Sequence, residues 1–239
     1  MTLLHATNLP GAARAHGVRH ITRRDLNWAI AAGWRDFRDK RGDILVLALL
    51  YPALGFVAAA VTIDDRLLPL FFPLVAGVLI LGPAAASGFY EIARRREAGL
   101  DASWTHFLDP LKGRARDGLA MLTGALVVLF IAWLAIASLI ADVTLGAAPL
   151  GGGPVRSAAE FIHQVLYTPQ GWALIVLGNL AGFVFAAITL VLSLVSFPMI
   201  VDGAADPWTA VLTSIRAARE NPGMTIAWGL RVAGLLVLG

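Results

Sequence analysis

The chain has no cysteine, which removes disulfides, thiolate metal sites, iron–sulfur clusters and thiol nucleophiles from consideration. It is also poor in charge: 15% of its 239 residues are Asp, Glu, Lys or Arg and 58% are hydrophobic, with a mean hydropathy of +0.73. Soluble domains average about 25% charged and about 45–50% apolar residues, and a soluble core cannot absorb the excess. No serine nucleophile elbow or glycine-rich phosphate loop occurs. The five histidines are His5, His16, His20, His106 and His163. No two fall in adjacent apolar runs, so haem ligation by a histidine pair inside a bilayer is unsupported. His16-x-x-x-His20 has helical spacing but no third ligand, so it makes no metal site. No cofactor is expected.

Long apolar runs dominate what is present. Ile44 to Ile63, Leu67 to Tyr90, Gly118 to Ala141 and Phe161 to Val201 carry no Asp, Glu, Lys or Arg, and Gly223 to Gly239 is interrupted only by Arg231. A bilayer crossing by a helix needs about 20 such residues, and a lone segment in lipid must satisfy its own backbone hydrogen bonds. The expected fold is therefore an all-α membrane bundle of five spans, at about 44–63, 67–93, 118–141, 170–201 and 223–239. Residues 1–21 are expected to form a disordered arm and 22–239 a single membrane domain. No signal-peptide h-region precedes Ile44, so the first span serves as signal anchor.

The basic residues fall on one side of this arrangement. Eight lie before residue 42, six between Arg94 and Arg116, and two are Arg216 and Arg219, sixteen in all, against only Arg66 and Arg156 in the opposite loops. Positive charge gathers on the cytoplasmic side, which predicts a multi-pass protein of the bacterial inner membrane with a cytoplasmic N-terminus. The pI near 9.8 then reflects loops beside anionic lipid, and no nucleic-acid partner is expected. The partners implied are the bilayer and either another membrane protein or a second copy.

Three segments share a pattern in which Asp precedes Trp by two or three residues and basic residues follow: Asp25 to Trp28, Asp101 to Trp104, and Asp206 to Trp208. Each runs into a spanning helix, suggesting a repeated unit of interfacial helix plus transmembrane hairpin. The interfacial helices are expected at 22–41, 101–116 and 206–220. Asp near a helix start complements the macrodipole, and Trp28, Trp34, Trp104 and Trp208 are candidate anchors at the membrane surface. Thr22-x-x-Asp25 reads as a capping box. The first helix either lies in the headgroup layer or packs on the bundle. A further helix is expected at about 157–167 on the far side. The third unit has one span before Gly239, so the repeat predicts a sixth beyond it.

Few residues offer chemistry. Tyr90 and Glu91, and Asp202, occupy equivalent ends of the second and fourth spans, where the carboxylates either pair with basic residues or do acid/base work. Arg231 lies inside the fifth span, as a functional group or as a side chain snorkelling to the surface. Gly88 and the Gly178-x-x-x-Gly182 spacing are candidate helix-packing positions. Pro69, Pro73 and Pro83 interrupt the second span, as in broken helices that line a substrate site or as simple kinks.

Ile21-Thr22-x-x-Asp25-Leu26, Gly33-Trp34-x-Asp36-Phe37, Gly88-Phe89-Tyr90-Glu91, Ser196-Phe197-Pro198-Met199 with Asp202, and Asn221-Pro222 together resemble a bacterial inner-membrane family known as domain of unknown function 2189. The resemblance implies a six-span integral membrane protein without an established activity, some relatives carrying the label of a cytochrome c oxidase subunit. No redox ligands for that label occur in this sequence. Three functional expectations follow: a non-enzymatic accessory or assembly subunit of a larger, respiratory-type membrane complex; a carrier or channel for a small neutral or amphipathic solute; and a membrane-embedded enzyme relying on Glu91 and Asp202.

Overall fold

The computed structural model describes residues 17–39, 52, 71–145 and 158–238. Residues 1–16 and, apart from Pro52, the expected first span at 44–63 lie outside the described residues. Every regular element among those described is helical: α1 (Arg23–Asp39), α2 (Phe71–Val78), α3 (Gly82–Ala85), α4 (Ser87–Glu97), α5 (Arg116–Leu145), α6 (Ala158–Tyr167), α7 (Pro169–Ser193), α8 (Ser196–Asp202), α9 (Pro207–Glu220) and α10 (Pro222–Leu238), with three short 3-10 turns.

Among the described residues three segments are long and apolar enough to cross a membrane: Phe71–Glu97, Arg116–Leu145 and Pro169–Asp202. Only 22%, 22% and 33% of their most apolar stretches are buried inside the chain. Their outer faces carry exposed Phe72, Val128, Ile131, Val143, Leu180 and Phe183, a surface that water would not tolerate over such an extent and hydrocarbon would. The expected fifth span is α10, 17 residues long, which is about 26 Å of helix.

Two of the three segments are broken, each for an identifiable reason. In the first, Pro83 has no N–H for the Leu79 carbonyl, and the Gly82 N–H bonds that carbonyl at 3-10 spacing instead, producing a turn over Leu79–Leu81. In the third, the Ser214 hydroxyl of α9 sits between two groups that would otherwise bond each other. It donates to the Val191 carbonyl at 2.7 Å and accepts from the Val195 N–H at 3.3 Å. A side chain inserted into the helical ladder bends the helix, and Ser214 is fully buried where it does so.

The spans meet around Trp133 of α5, a residue with 6% of its surface exposed. Its indole N–H donates to the Pro73 carbonyl of α2 at 2.8 Å, and its ring meets Phe185 of α7 edge-on, centroids 5.5 Å apart. Gly77 of α2 has room for no side chain, since a Cβ would lie 2.2 Å from the Phe130 ring. A Cβ on Gly182 of α7 would rest 3.5 Å from Trp133, ordinary contact. Below this, Leu119, Leu122, Leu126, Phe197 and Ile200 continue the core toward the basic end of the bundle.

The segment expected as an interfacial helix over 101–116 is instead two 3-10 turns, Trp104–His106 and Asp109–Leu111. Pro110 explains the difference, because its ring would clash with the carbonyl four residues earlier in a continuous α-helix and it has no N–H to donate. The other two expectations correspond to helices. Asp206 caps α9 by accepting from the N–H groups of Trp208 and Thr209, both at 3.1 Å. In α1, Asp25 accepts from the Thr22 N–H at 2.8 Å, three residues after Thr22 in a capping box. The shared Asp–Trp pattern thus adopts three different local structures. On the opposite end, α6 turns into α7 at Gly171, where a Cβ would lie 2.2 Å from the Val165 carbonyl oxygen.

Candidate functional site

The polar groups gather at the basic end, where α4, α8 and the start of α5 converge. Gly88 lets the loop close over α4: a Cβ there would lie 2.4 Å from the ring of Phe107, which stacks edge-on against Phe89. One turn later Glu91 is 5% exposed. Its carboxylate accepts from Arg94 Nε at 2.8 Å and Arg94 Nη2 at 2.6 Å, and from Arg95 Nε at 2.8 Å. These partners are three and four residues along the same helix, the spacing that brings side chains together on one face.

Arg95 continues the network into the loop. Its Nη2 donates to Asp109 at 2.9 Å and its Nη1 to the Asp101 carbonyl at 3.3 Å. His106 lies between two carboxylates, with Nδ1 2.7 Å from Asp109 and Nε2 3.1 Å from Asp101. The hydrogen bond to His106 is the main reason both Asp101 and Asp109 sit below the usual carboxylate range. Asp206 is lowered chiefly by the Thr209 hydroxyl, and Asp25 by the Thr22 hydroxyl.

A cleft of about 560 Å3 opens beside this network, lined by Glu91, Arg94, Asp109, Arg114, Asp117 and Asp206 on its polar side and by Met121, Ile200 and Pro207 on its apolar side. Asp202 is exposed at the end of α8. It is close enough to act electrostatically on Arg94, but no hydrogen bond joins it to Arg94 or Glu91 among the described residues. Glu91 and Asp202 are therefore not placed as a carboxylate pair. Glu91 spends its lone pairs on three hydrogen bonds, leaving it poorly placed to take a substrate proton. Tyr90 packs against the core beside it. Among the described residues no group of three metal-ligating side chains occurs.

α1 lies across the same end. The Ile21 N–H donates to the Asn221 side chain at 2.7 Å, and the Asn221 amide donates to the Arg19 carbonyl at 3.1 Å, so residues 19–21 of the expected disordered arm are tied down. Arg231 of α10 reaches Asn27 of α1 at 3.1 Å, pointing back along its helix toward the basic end as helical side chains do. Arg96 at the close of α4 pairs with Asp36. Trp28, Trp34, Trp104 and Trp208 are 66%, 59%, 54% and 65% exposed. Gly178 faces open space, with nothing within 4 Å of a Cβ there, so it makes no packing contact among the described residues, unlike Gly88.

Sequence reasoning missed Trp133 and His106. Trp133 had a signal, since it stands mid-way along a charge-free run while the candidate anchors flank such runs. His106 had one in the spacing Asp101, His106, Asp109.

Residues 71–202 match the family described as a predicted integral membrane protein (domain of unknown function 2189). The chain belongs to that family. The match runs from the first candidate span to the end of the third, taking in Glu91, the His106 loop and Asp202. It supports a multi-pass integral membrane protein in contact with lipid and assigns no activity. No curated protein and no solved structure matches the chain.

Proposed function

We propose that this protein is a non-enzymatic accessory or assembly subunit that packs against a larger membrane complex, of the respiratory kind named in the label of some relatives. In this reading it resides in the bacterial inner membrane with its basic end in the cytoplasm. The observation that carries the proposal is the distribution of surface: two thirds or more of each candidate span's apolar stretch faces away from the chain's own core, while residues 71–90, 118–141 and 170–201 hold no Asp, Glu, Lys, Arg or His and Arg231 is the exception in the expected fifth span. Proton and ion pathways usually need such groups at depth; a packing subunit needs outward faces. The Glu91–Arg95–His106 network supports it as a brace that fixes the loop beside α4. Purification from native membranes in mild detergent, with quantitative mass spectrometry of what co-elutes, tests this. A partner at fixed stoichiometry is expected, and recovery of the chain without one would count against the role.

The breaks at Leu79–Leu81 and at Val195 favour a second reading, a carrier or channel for a small neutral or amphipathic solute, because interrupted helices expose backbone groups that can line a path. Reconstituted vesicles that show no flux across a broad solute panel would remove it.

A further inference from the structure

We propose that the outer face of α7 is a self-association surface on which two copies of this chain meet through Asn179. This stands apart from the accessory role and holds with or without it. Asn179 lies ten residues after Pro169, roughly 15 Å along the helix and so near the middle of a hydrocarbon core about 30 Å thick. It is exposed. Its amide nitrogen donates to the Ile175 carbonyl of its own helix at 2.8 Å. Its oxygen and second amide hydrogen meet no hydrogen-bonding group among the described residues. Val176, Leu180 and Phe183, all exposed, surround it on the same face, so no described residue partners the rest of the amide there and hydrocarbon cannot.

The chemistry of the amide selects the occupant. Every copy of a membrane protein shares one orientation, so a two-fold axis normal to the membrane sets each residue against its own counterpart at equal depth. A carboxamide carries a donor and an acceptor and is complementary to itself. Two copies of Asn179 can therefore exchange reciprocal hydrogen bonds, which lipid cannot supply. Beside it, Gly178 has nothing within 4 Å of a Cβ and Ala186 is exposed, leaving room for a second helix to approach.

The lack of cysteine makes the test direct. Purified full-length chain is reconstituted at low protein-to-lipid ratio with single cysteines Val176→Cys or Phe183→Cys on this face, or Ile131→Cys on the exposed face of α5, and is oxidised. Disulfide dimers are expected at Val176→Cys and Phe183→Cys at least about five-fold faster than at Ile131→Cys. Adding Asn179→Leu to Phe183→Cys should lower the yield by roughly three- to thirty-fold, the range set by interhelical hydrogen bonds in membranes, while Asn179→Gln should retain it. Equal cross-linking at all three positions, or none on α7, overturns the proposal even where Asn179→Leu fails to fold. Unchanged cross-linking in a folded Asn179→Leu protein overturns it as well.

Discussion

Around Trp133 three helices are joined by shape, and at the basic end the same helices are joined by charge. Among the described residues the middle has one side-chain hydrogen bond between spans, from Trp133 to Pro73, and otherwise depends on close packing, with Gly77 leaving room for the Phe130 ring. The basic end has Glu91, Arg94, Arg95, His106, Asp101 and Asp109 in one continuous network. The solvent each region meets accounts for the contrast. Hydrocarbon makes an unmatched polar group expensive, so packing does the joining there; at the basic end the buried Glu91 carboxylate is matched by two guanidinium groups, and the more exposed outer pairs are weakened by screening.

The sharpest way to break the comparison is to remove the central ring. Trp133→Ala should cost about 3–5 kcal/mol, the usual range for emptying an aromatic site, measured by chemical unfolding in micelles, with no dependence on salt. Trp133→Phe keeps most of the shape and should cost about 1 kcal/mol from the lost hydrogen bond. Glu91→Gln leaves two guanidinium groups without their carboxylate and should cost about 1–3 kcal/mol, less than a fully buried pair because Arg94 is partly exposed. Its effect should shrink as ionic strength rises. If Glu91→Gln proves costlier than Trp133→Ala, shape is not what holds the spans.

Smaller effects sharpen the picture. Ser214→Ala removes the hydroxyl between Val191 and Val195 and should cost about 1–2 kcal/mol, with a change in the local bend visible by distance measurements between spin labels on α7 and α8. The smallest effect concerns pH. Asp101 and Asp109 are held below their ordinary values by His106, so their contribution is fully present above the unfolded carboxylate value, about 3.9. It is lost as pH falls through the lower folded values. In His106→Ala the stability curve should therefore be flatter below about pH 4, and an unchanged curve would show that the network does not brace the loop.

The membrane character and the three described spans were legible because charge-free runs of that length have few other physical meanings. α9 was legible from Asp206-Pro207, a cap followed by a proline already suited to a first turn. The 101–116 segment was misread as one helix, although Pro110 sits nine residues after Asp101 and forbids an unbroken one. Glu91 was singled out in the sequence, either pairing with basic residues or doing acid/base work, and the structure makes its partners Arg94 and Arg95, at helical spacing beside it. The role of Ser214 had no local signal: it arises only when α9 folds back against the end of α7, and a buried hydroxyl in an amphipathic helix looks like any other. Trp133 needed three spans in register before its contacts existed.

The most direct test of the account is a map of which side of the membrane each region faces. Single cysteines placed at Lys112, Arg219, Gln164 and Val128 in the otherwise cysteine-free chain can be reacted with a membrane-impermeant maleimide before and after permeabilisation. Gln164→Cys is expected to react in intact cells, Lys112→Cys and Arg219→Cys only once the inner membrane is opened, and Val128→Cys is expected to stay protected throughout. Reaction of Lys112→Cys and Gln164→Cys from the same side would mean that α5 does not cross the membrane, and the contrast between a lipid-facing middle and a charged end would fall with it.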